Sequence, residues 1–289
     1  MARSDVITMK AVLEIRNLSA VSAVGPILRN ISLTVNMGEA MALVGESGAG
    51  KSAIAKAVLG ILPVAIKITG GEIFFGGVDL LKLSPARIRE LLGVRIALIP
   101  QDPLTSLNPS RRIGDQLTDG LRLRAGLSGV VAATKALELL NDVQIRDPQR
   151  VLKSYPHELS GGMRQRVLIA QAFSLNPQMI IADEPTTALD VTVQKQVLRL
   201  IRQLQQNHAT TLLFITHDLG VVAQICDRMT VLYGGKVLEQ GATADILKNP
   251  AHKYTKALLA ANPRYDQPTQ SLKPISEALI AELKQEISA

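Results

Sequence analysis

The 289-residue sequence lacks tryptophan, contains a single cysteine and has few aromatic residues of any kind. Because Cys226 stands alone, an internal disulfide and any centre that needs several cysteines are excluded. Aromatic residues make up only 3% of the chain, so few side chains could stack on nucleic-acid bases. The formal charge of +7 is scattered along the sequence. We therefore expect no nucleic-acid partner and interpret the charge as general surface charge that favours membrane proximity.

Long apolar runs are missing as well. The longest uncharged stretch, residues 167–182, is interrupted by polar residues and a proline, whereas a membrane-spanning helix needs about 20 predominantly apolar residues. The first residues also lack the sustained apolar region of a signal peptide. These absences predict a soluble protein.

Short apolar runs are present, and they indicate the fold class. Four of them end at polar or glycine residues, as parallel strands buried on both faces do: residues 41–44, 179–182, 212–215 and 229–232. Helical patterns lie between them, at residues 52–62 and 191–206. Residues 12–16 and 31–35 instead show the alternation of half-buried antiparallel strands. The sequence thus predicts an α/β fold with a mainly parallel sheet and an antiparallel β subdomain.

Two other segments depart from this alternation. Residues 102–156 contain charged helical segments punctuated by proline and glycine, which predicts a helical insertion. Gly234 and Gly235 predict a hairpin turn. Beyond Gly241 the apolar density falls, and the chain closes with an amphipathic helical pattern at residues 275–287. We predict a main domain of residues 1–240, with the insertion at about 102–175, and a C-terminal extension of residues 241–289.

A glycine-rich segment after the first apolar run carries the strongest chemical signal. It matches the pattern G-x-x-x-x-G-K-[ST], in which glycines let backbone N–H groups point at phosphate oxygens at the start of a helix. Lys51 is expected to reach the β- and γ-phosphates of a nucleotide, and the Ser52 hydroxyl to bind Mg²⁺. A glycine-rich turn without a ligand is the alternative. The predicted phosphate loop consists of Gly45, Glu46, Ser47, Gly48, Ala49, Gly50, Lys51 and Ser52.

Two adjacent carboxylates, Asp183 and Glu184, follow the apolar run at residues 179–182. Open α/β sheets bind their ligands at the carboxyl ends of the strands. Asp183 is therefore expected to hold Mg²⁺, and Glu184 to orient or deprotonate the attacking water. On its own this pattern also fits a strand that enters a polar loop. Together with the phosphate loop upstream, it indicates a site for phosphate hydrolysis.

The segment Leu-Ser-Gly-Gly-Met at residues 159–163 resembles the signature sequence of ABC ATPases, usually Leu-Ser-Gly-Gly-Gln. With the two phosphate motifs in the same order, the chain resembles the ATP-binding subunits of ABC transporters. That resemblance implies a P-loop NTPase fold of the RecA-like type. It also implies that Ser160, Gly161 and Gly162, which open a helix, bind the γ-phosphate of ATP held by a second subunit. A simple helix cap is the alternative, whereas a nucleotide kinase would leave this motif unexplained.

The resemblance assigns three further positions. Gln101 is similar to the glutamine that contacts Mg²⁺ or the attacking water and links ATP to the membrane partner. Asp190 lies in the segment that crosses the dimer interface beside the catalytic glutamate. His217 is similar to the histidine that contacts the γ-phosphate. The expected catalytic residues are thus Glu184, His217 and Gln101, and the expected Mg²⁺ ligands are Ser52, Gln101 and Asp183.

Within this superfamily, residues 101–109, 155–159 and 249–258 resemble the oligopeptide, dipeptide and nickel importer ATPases of bacteria. Lys253 replaces the proline of their C-terminal His-Pro-Tyr-Thr motif. The short tail and the lack of an aromatic residue to stack on adenine favour a nickel-type subunit. The resemblance implies a second ATPase subunit, two transmembrane permeases and an extracytoplasmic binding protein, at the cytoplasmic face of the bacterial inner membrane. The alternatives are an exporter ATPase and a non-transport ABC ATPase of DNA repair or translation.

The first prediction concerns the nucleotide base. The family commonly stacks adenine on an aromatic residue ahead of the phosphate loop, but residues 18–24 contain none, which leaves Val21 or a neighbour to pack on the base. Affinity should then depend mostly on the triphosphate. In competition binding we expect GTP to compete within about tenfold of ATP, about 1.4 kcal/mol. A thousandfold preference for ATP would contradict this expectation.

Overall fold

The computed structural model of the chain describes residues 10–187, 189–261 and 275–288. Its strands are β1 (Ala11–Ser22), β2 (Gly25–Asn36), β3 (Ala40–Val44), β4 (Lys67–Phe75), β5 (Val78–Asp79), β6 (Ile96–Ile99), β7 (Met179–Asp183), β8 (Thr211–Thr216), β9 (Arg228–Tyr233) and β10 (Lys236–Ala242). Its α-helices are α1 (Lys51–Val58), α2 (Pro85–Leu91), α3 (Pro103–Ser106), α4 (Ile113–Ala125), α5 (Gly129–Asp142), α6 (Pro148–Lys153), α7 (Gly161–Phe173), α8 (Val191–Asn207), α9 (Leu219–Ile225), α10 (Thr243–Lys248), α11 (Lys253–Ala261) and α12 (Glu277–Ser288).

The central sheet has the strand order β10-β9-β3-β8-β7-β6. Neighbouring strands from β9 to β6 are parallel, and β10 joins the edge antiparallel to β9. Every residue of β3 and β8 is buried, as expected for parallel strands covered on both faces. The four apolar runs therefore form strands of a mainly parallel sheet, as predicted.

A second sheet is antiparallel, with the order β2-β1-β4-β5. The two segments that were predicted to be antiparallel strands belong to this sheet, where they form parts of the longer strands β1 and β2. The sequence did not reveal β4, because Gly70 and Gly71 interrupt its pattern. The structure explains this pair: Gly71 has a φ of +95°, and a Cβ there would lie 2.5 Å from the Cα of Leu18. Only glycine fits where β4 crosses the irregular part of β1.

The central sheet separates two apolar cores. Alternate residues of β3 divide between them: Ala42 and Val44 pack with the helices of the insertion, whereas Met41 and Leu43 pack with the antiparallel sheet and α1. Because successive side chains of a strand point to opposite faces, one strand serves both cores. This arrangement fixes the carboxyl ends of β3, β7 and β8, where the predicted site residues follow.

The helix after β3 is shorter than the 52–62 pattern predicted. It ends at Val58, Leu59 caps it, and Gly60 then adopts a φ of +64°. A glycine in the left-handed conformation is a common helix terminator. By contrast, α8 spans Val191–Asn207 and agrees with the predicted helix at 191–206.

Helices α3 to α7 lie between β6 and β7, where the helical insertion was predicted. Their apolar faces meet inside the insertion: Leu117 and Leu121 of α4 are buried in the same core as Ala136 and Leu140 of α5. The domain boundary at residue 240 stays a prediction, and β10 runs across it. Among the described residues, no helix combines the length and the apolar character that a membrane crossing requires.

The C-terminal helices pack onto the α/β core. Gly234 and Gly235 form the predicted turn between β9 and β10, with φ values of +52° and +80°. Tyr254 of α11 and Leu283 of α12 are both completely buried in the core that also contains β9. The α12 helix coincides with the amphipathic pattern predicted at 275–287.

Candidate nucleotide-binding and hydrolysis site

The predicted phosphate loop connects the end of β3 to the start of α1. Two glycines make its course possible. A Cβ on Gly45 would lie 2.2 Å from the Leu232 carbonyl oxygen, and one on Gly50, with a φ of +99°, would lie 2.8 Å from the Leu28 side chain. Glycine is the only residue that fits these positions without moving the neighbours. The loop therefore leads into the N-terminus of α1, which favours anions.

Lys51 occupies the centre of this loop and is only 5% exposed. Its ammonium group donates hydrogen bonds to the carbonyl oxygens of Gly45, at 2.6 Å, and Glu46, at 2.8 Å. Burial lowers the pKa of Lys51, and the nearby charges of Glu184 and Asp183 oppose that shift. The loop thus encloses a partly desolvated cation, whose charge a bound phosphate would balance.

Ser52 and Asp183 meet at the carboxyl end of β7. The Ser52 hydroxyl donates a hydrogen bond to Asp183 Oδ1 at 3.2 Å. Burial raises the pKa of Asp183, and the Ser52 hydrogen bond opposes the rise. A hydroxyl and a carboxylate are the oxygen donors that Mg²⁺ prefers, with phosphates and waters completing the shell. These residues fit a Mg²⁺ site, because a cation would stabilise the half-buried carboxylate.

Glu184 is the hub of a polar cluster. Its Oε2 accepts hydrogen bonds from Gln101 Nε2 at 3.2 Å and Thr187 Oγ1 at 3.1 Å, and its Oε1 lies 3.1 Å from His217 Nδ1. The backbone of Glu184 has a φ of +45°, a sparsely populated conformation that clusters at functional sites. The three predicted catalytic residues are therefore brought together. Thr187 completes the cluster and was not among the predicted site residues, although it begins the segment that contains Asp190.

A cleft of about 740 Å³ joins the phosphate loop to this cluster. Its lining includes the whole loop together with Gln101, Glu184 and His217. Two apolar residues complete the wall, Ile27 from β2 and Leu258 from α11. Packing of the base on Val21 or a neighbour stays a prediction; Val21 pairs with Pro26 in the hairpin, and the next residue, Ile27, lines the cleft. The sequence did not predict that Leu258 lines the cleft, because this residue lies more than 200 residues from the loop in sequence.

Ser160, Gly161 and Gly162 lie elsewhere, at the exposed N-terminus of α7. The Ser160 hydroxyl caps this helix by accepting a hydrogen bond from the Met163 amide at 3.3 Å. None of the three lines the cleft around Lys51. Within one chain, the structure therefore does not bring the signature residues to the phosphate loop.

The Asp190 carboxylate likewise has hydrogen-bond partners close to it in sequence. It caps α8 by accepting hydrogen bonds from the amides of Thr192, at 3.1 Å, and Val193, at 2.9 Å. It is exposed and lies outside the cleft lining. Within one chain, the structure does not bring Asp190 to the phosphate loop, and its contribution to nucleotide binding stays a prediction.

Two known protein families match this chain. Residues 28–187 match the family model described as ABC transporter. The chain belongs to the ABC transporter ATP-binding family. Residues 238–286 of this ABC ATPase also match the C-terminal region of oligopeptide/dipeptide transporters. The predicted family and α/β fold are thus confirmed, and as a member of this family the chain binds and hydrolyses ATP.

Individual relatives cover most of this ABC ATPase. It is 49% identical over 249 residues to the probable D,D-dipeptide transport ATP-binding protein DdpD of Escherichia coli, covering 86% of this chain and 76% of that protein. The glutathione import ATP-binding protein GsiA of Salmonella typhimurium is 46% identical over 243 residues, 82% of this chain and 39% of GsiA. The dimeric structure of the ATP-binding cassette MJ0796 bound to ADP and Pi superposes with a TM-score of 0.71 at 26% identity, covering 80% of this chain and 98% of that one.

The geometry at Glu184 generates the second prediction. Replacing Glu184 by Gln keeps the shape of the cluster but removes the carboxylate that could accept a proton from water. We expect Glu184→Gln to bind ATP normally and to hydrolyse it roughly 10²–10⁴-fold more slowly, the range for general-base help. Single-turnover hydrolysis and equilibrium ATP binding measure the two effects separately, with Glu138→Gln on the exposed face of α5 as the control. A Glu184→Gln variant that hydrolyses ATP at the normal rate would contradict this role.

Proposed function

We propose that this ABC ATPase energises the import of short peptides through partner permeases. The observation that carries the proposal is the match of residues 238–286 to the C-terminal region of oligopeptide/dipeptide transporters, in addition to the general ATPase match. Support comes from two relatives whose names specify a D,D-dipeptide and glutathione, itself a short peptide, with import stated for the latter. The nickel-type subunit stays a prediction, and the peptide names favour peptides over nickel as the transported class.

We infer that ATP binds with its phosphates on the loop, where Lys51 supplies positive charge. Ser52 and Asp183 would hold Mg²⁺, with Gln101 at its outer side, and the bound ion would offset the charge of the phosphates. The Glu184 carboxylate would accept the proton of the attacking water. Gln101, Thr187 and His217 hold that carboxylate through the contacts at 3.1–3.2 Å, and His217 is also within the cleft to meet the γ-phosphate.

The second phosphate-binding element would act across a subunit interface. The N-terminus of α7 offers the Ser160 hydroxyl, exposed backbone amides and the positive end of a helix dipole, all suited to an anion. Since these groups lie outside their own cleft, we infer that they contact ATP held by a second ATPase subunit. Two such chains, identical or homologous, would then sandwich two ATP molecules head to tail.

The permease partner would dock beside Gln101. An open groove of about 460 Å³ lies between the edge strand β6 and helix α7, and Pro100 is part of its wall. Its lining is mostly apolar, and Ile61 at its rim is 51% exposed. We infer that a short apolar-faced segment of the permease occupies this groove. We infer that the chain then works at the cytoplasmic face of the bacterial inner membrane, next to permeases that receive peptide from an extracytoplasmic binding protein.

Assembly provides the test. The isolated chain should hydrolyse ATP slowly, because the donors at the α7 N-terminus must come from another subunit, and adding the partner ATPase with both permeases should raise the rate. In that complex, Ser160→Arg should impair the partner's ATP site more than its own. Ser128→Arg is the matched control, because Ser128 caps α5 in the same way. Full, peptide-stimulated hydrolysis by a strict monomer in sedimentation would contradict the proposal.

A further inference from the structure

Helix α11 lies against the phosphate loop, although it follows that loop by about 200 residues. Tyr254 is completely buried, and its ring packs on Tyr233 with centroids 4.8 Å apart. One turn later, Leu258 is 6% exposed and forms part of the cleft wall. The C-terminal segment thus contributes two large side chains to the surroundings of the nucleotide, from outside the ATPase match at residues 28–187.

The Tyr254 hydroxyl faces Glu46, the second residue of the loop. Burial, followed by the charge of the Glu46 carboxylate, raises the pKa of Tyr254, and the Glu46 backbone amide is near enough to oppose that rise. In the part of the chain that the structure describes, no group makes a hydrogen bond of normal geometry to this buried hydroxyl, the nearby Glu46 amide included. Buried polar groups are nearly always paired, so an unpaired hydroxyl beside the loop calls for a physical reason.

The hydrogen bonds within the phosphate loop suggest a reason for the unpaired Tyr254 hydroxyl. Lys51 donates hydrogen bonds to the carbonyl oxygens of Gly45 and Glu46. A triphosphate competes for the same ammonium group, because charge-assisted hydrogen bonds to an anion are the stronger ones. When Lys51 donates to phosphate instead, the Gly45 and Glu46 carbonyl oxygens each lose a donor, although the Glu46 carbonyl keeps the Ala49 amide at 3.2 Å, so the peptides at residues 45–46 are free to shift. The Tyr254 hydroxyl, able to donate and to accept, is already beside them.

We propose that Tyr254 is a positioning residue that holds the Glu46 peptide of the phosphate loop in its nucleotide-bound arrangement, while Leu258 closes the cleft beside it. The inference rests on the ATP site proposed above and adds a role for the C-terminal segment. Tyr254 acts through the loop, and its effect falls on nucleotide affinity more than on the chemical step.

Helix α11 is connected through α12 to the turn that contacts the phosphate loop. Lys253 forms ion pairs with Glu282, at 2.5 Å, and Glu286, at 3.5 Å, both on α12. Lys236 Nζ donates a hydrogen bond to the Glu286 carbonyl oxygen at 2.9 Å. Next to Lys236, the Gly235 amide donates to the Ala49 carbonyl oxygen of the loop at 3.2 Å. These contacts connect the C-terminal helices to the loop on two sides, so under this proposal any effect of nucleotide binding on helix docking is reciprocal.

The first test removes one oxygen atom. In the full-length chain, Tyr254→Phe keeps the ring on Tyr233 and should weaken Mg-ADP and Mg-ATP binding about three- to tenfold, the effect of one hydrogen bond. The hydrolysis rate at saturating ATP should stay within about twofold, because Glu184 is untouched. Thr255→Val is the matched control: Thr255 is also fully buried in α11, but its hydroxyl faces Glu239, so its nucleotide affinity should be unchanged.

The outcomes separate this inference from the proposed function. If the unmodified chain fails to bind Mg-ADP, the ATP site itself is wrong. If it binds but Tyr254→Phe binds equally well, or Thr255→Val weakens binding as much, the positioning role is wrong.

A second measurement needs no substitution. Mg-ADP lacks the γ-phosphate that a second subunit would contact, so it reports on one chain. Mg-ADP should slow amide hydrogen exchange in α11 of the unmodified chain, and should leave α10, which is absent from the cleft lining, unchanged. Equal exchange in α11 with and without Mg-ADP would overturn the proposed coupling.

Discussion

The structure depends on one constraint: a buried cation must be held inside a tight backbone loop at the end of a buried strand. Lys51 can sit there only because Gly45 and Gly50 allow the loop to pass against Leu232 and Leu28 without a Cβ. The partial desolvation that lowers the pKa of Lys51 also prepares it for a strongly charged ligand. A bound phosphate would balance the charge of Lys51. The loop faces the cleft, through which such a ligand can reach it.

The two apolar cores keep that loop in register with the rest of the site. Strands β3, β7 and β8 are adjacent and parallel, so the residues that follow them lie at one edge of the sheet. Asp183, Glu184 and His217 therefore meet Lys51 and Ser52 although they come from distant segments. Gln101 reaches Glu184 from the far side, after β6, where the helical insertion begins. A displacement of the insertion would move Gln101 relative to Glu184, which would give the permease segment proposed for the adjacent groove a direct physical route to the hydrolysis site.

The parallel sheet and the phosphate loop could be predicted from the sequence, because buried parallel strands and phosphate loops have distinctive local residue patterns. The parts that could not be predicted depend on tertiary contacts. Strand β4 was not predicted, because Gly71 interrupts its apolar pattern and the reason for this glycine, a close approach to Leu18, is visible only in the structure. Thr187 and Leu258 belong to the site only through their neighbours in space. Tyr254 lies in a segment that resembles a family motif, but no local pattern indicates that its hydroxyl is buried beside Glu46.

The most direct measurement of the central claim is nucleotide binding by Lys51→Ala, with Lys135→Ala on the exposed face of α5 as the control for loss of a charge. Hydrogen bonds from an ammonium to two phosphates contribute about 1.5–3 kcal/mol each, so the affinity for Mg-ATP should fall roughly 100-fold or more while the fold remains intact by circular dichroism. Lys135→Ala should bind as the unmodified chain does. A folded Lys51→Ala variant with normal affinity and normal hydrolysis would contradict the account.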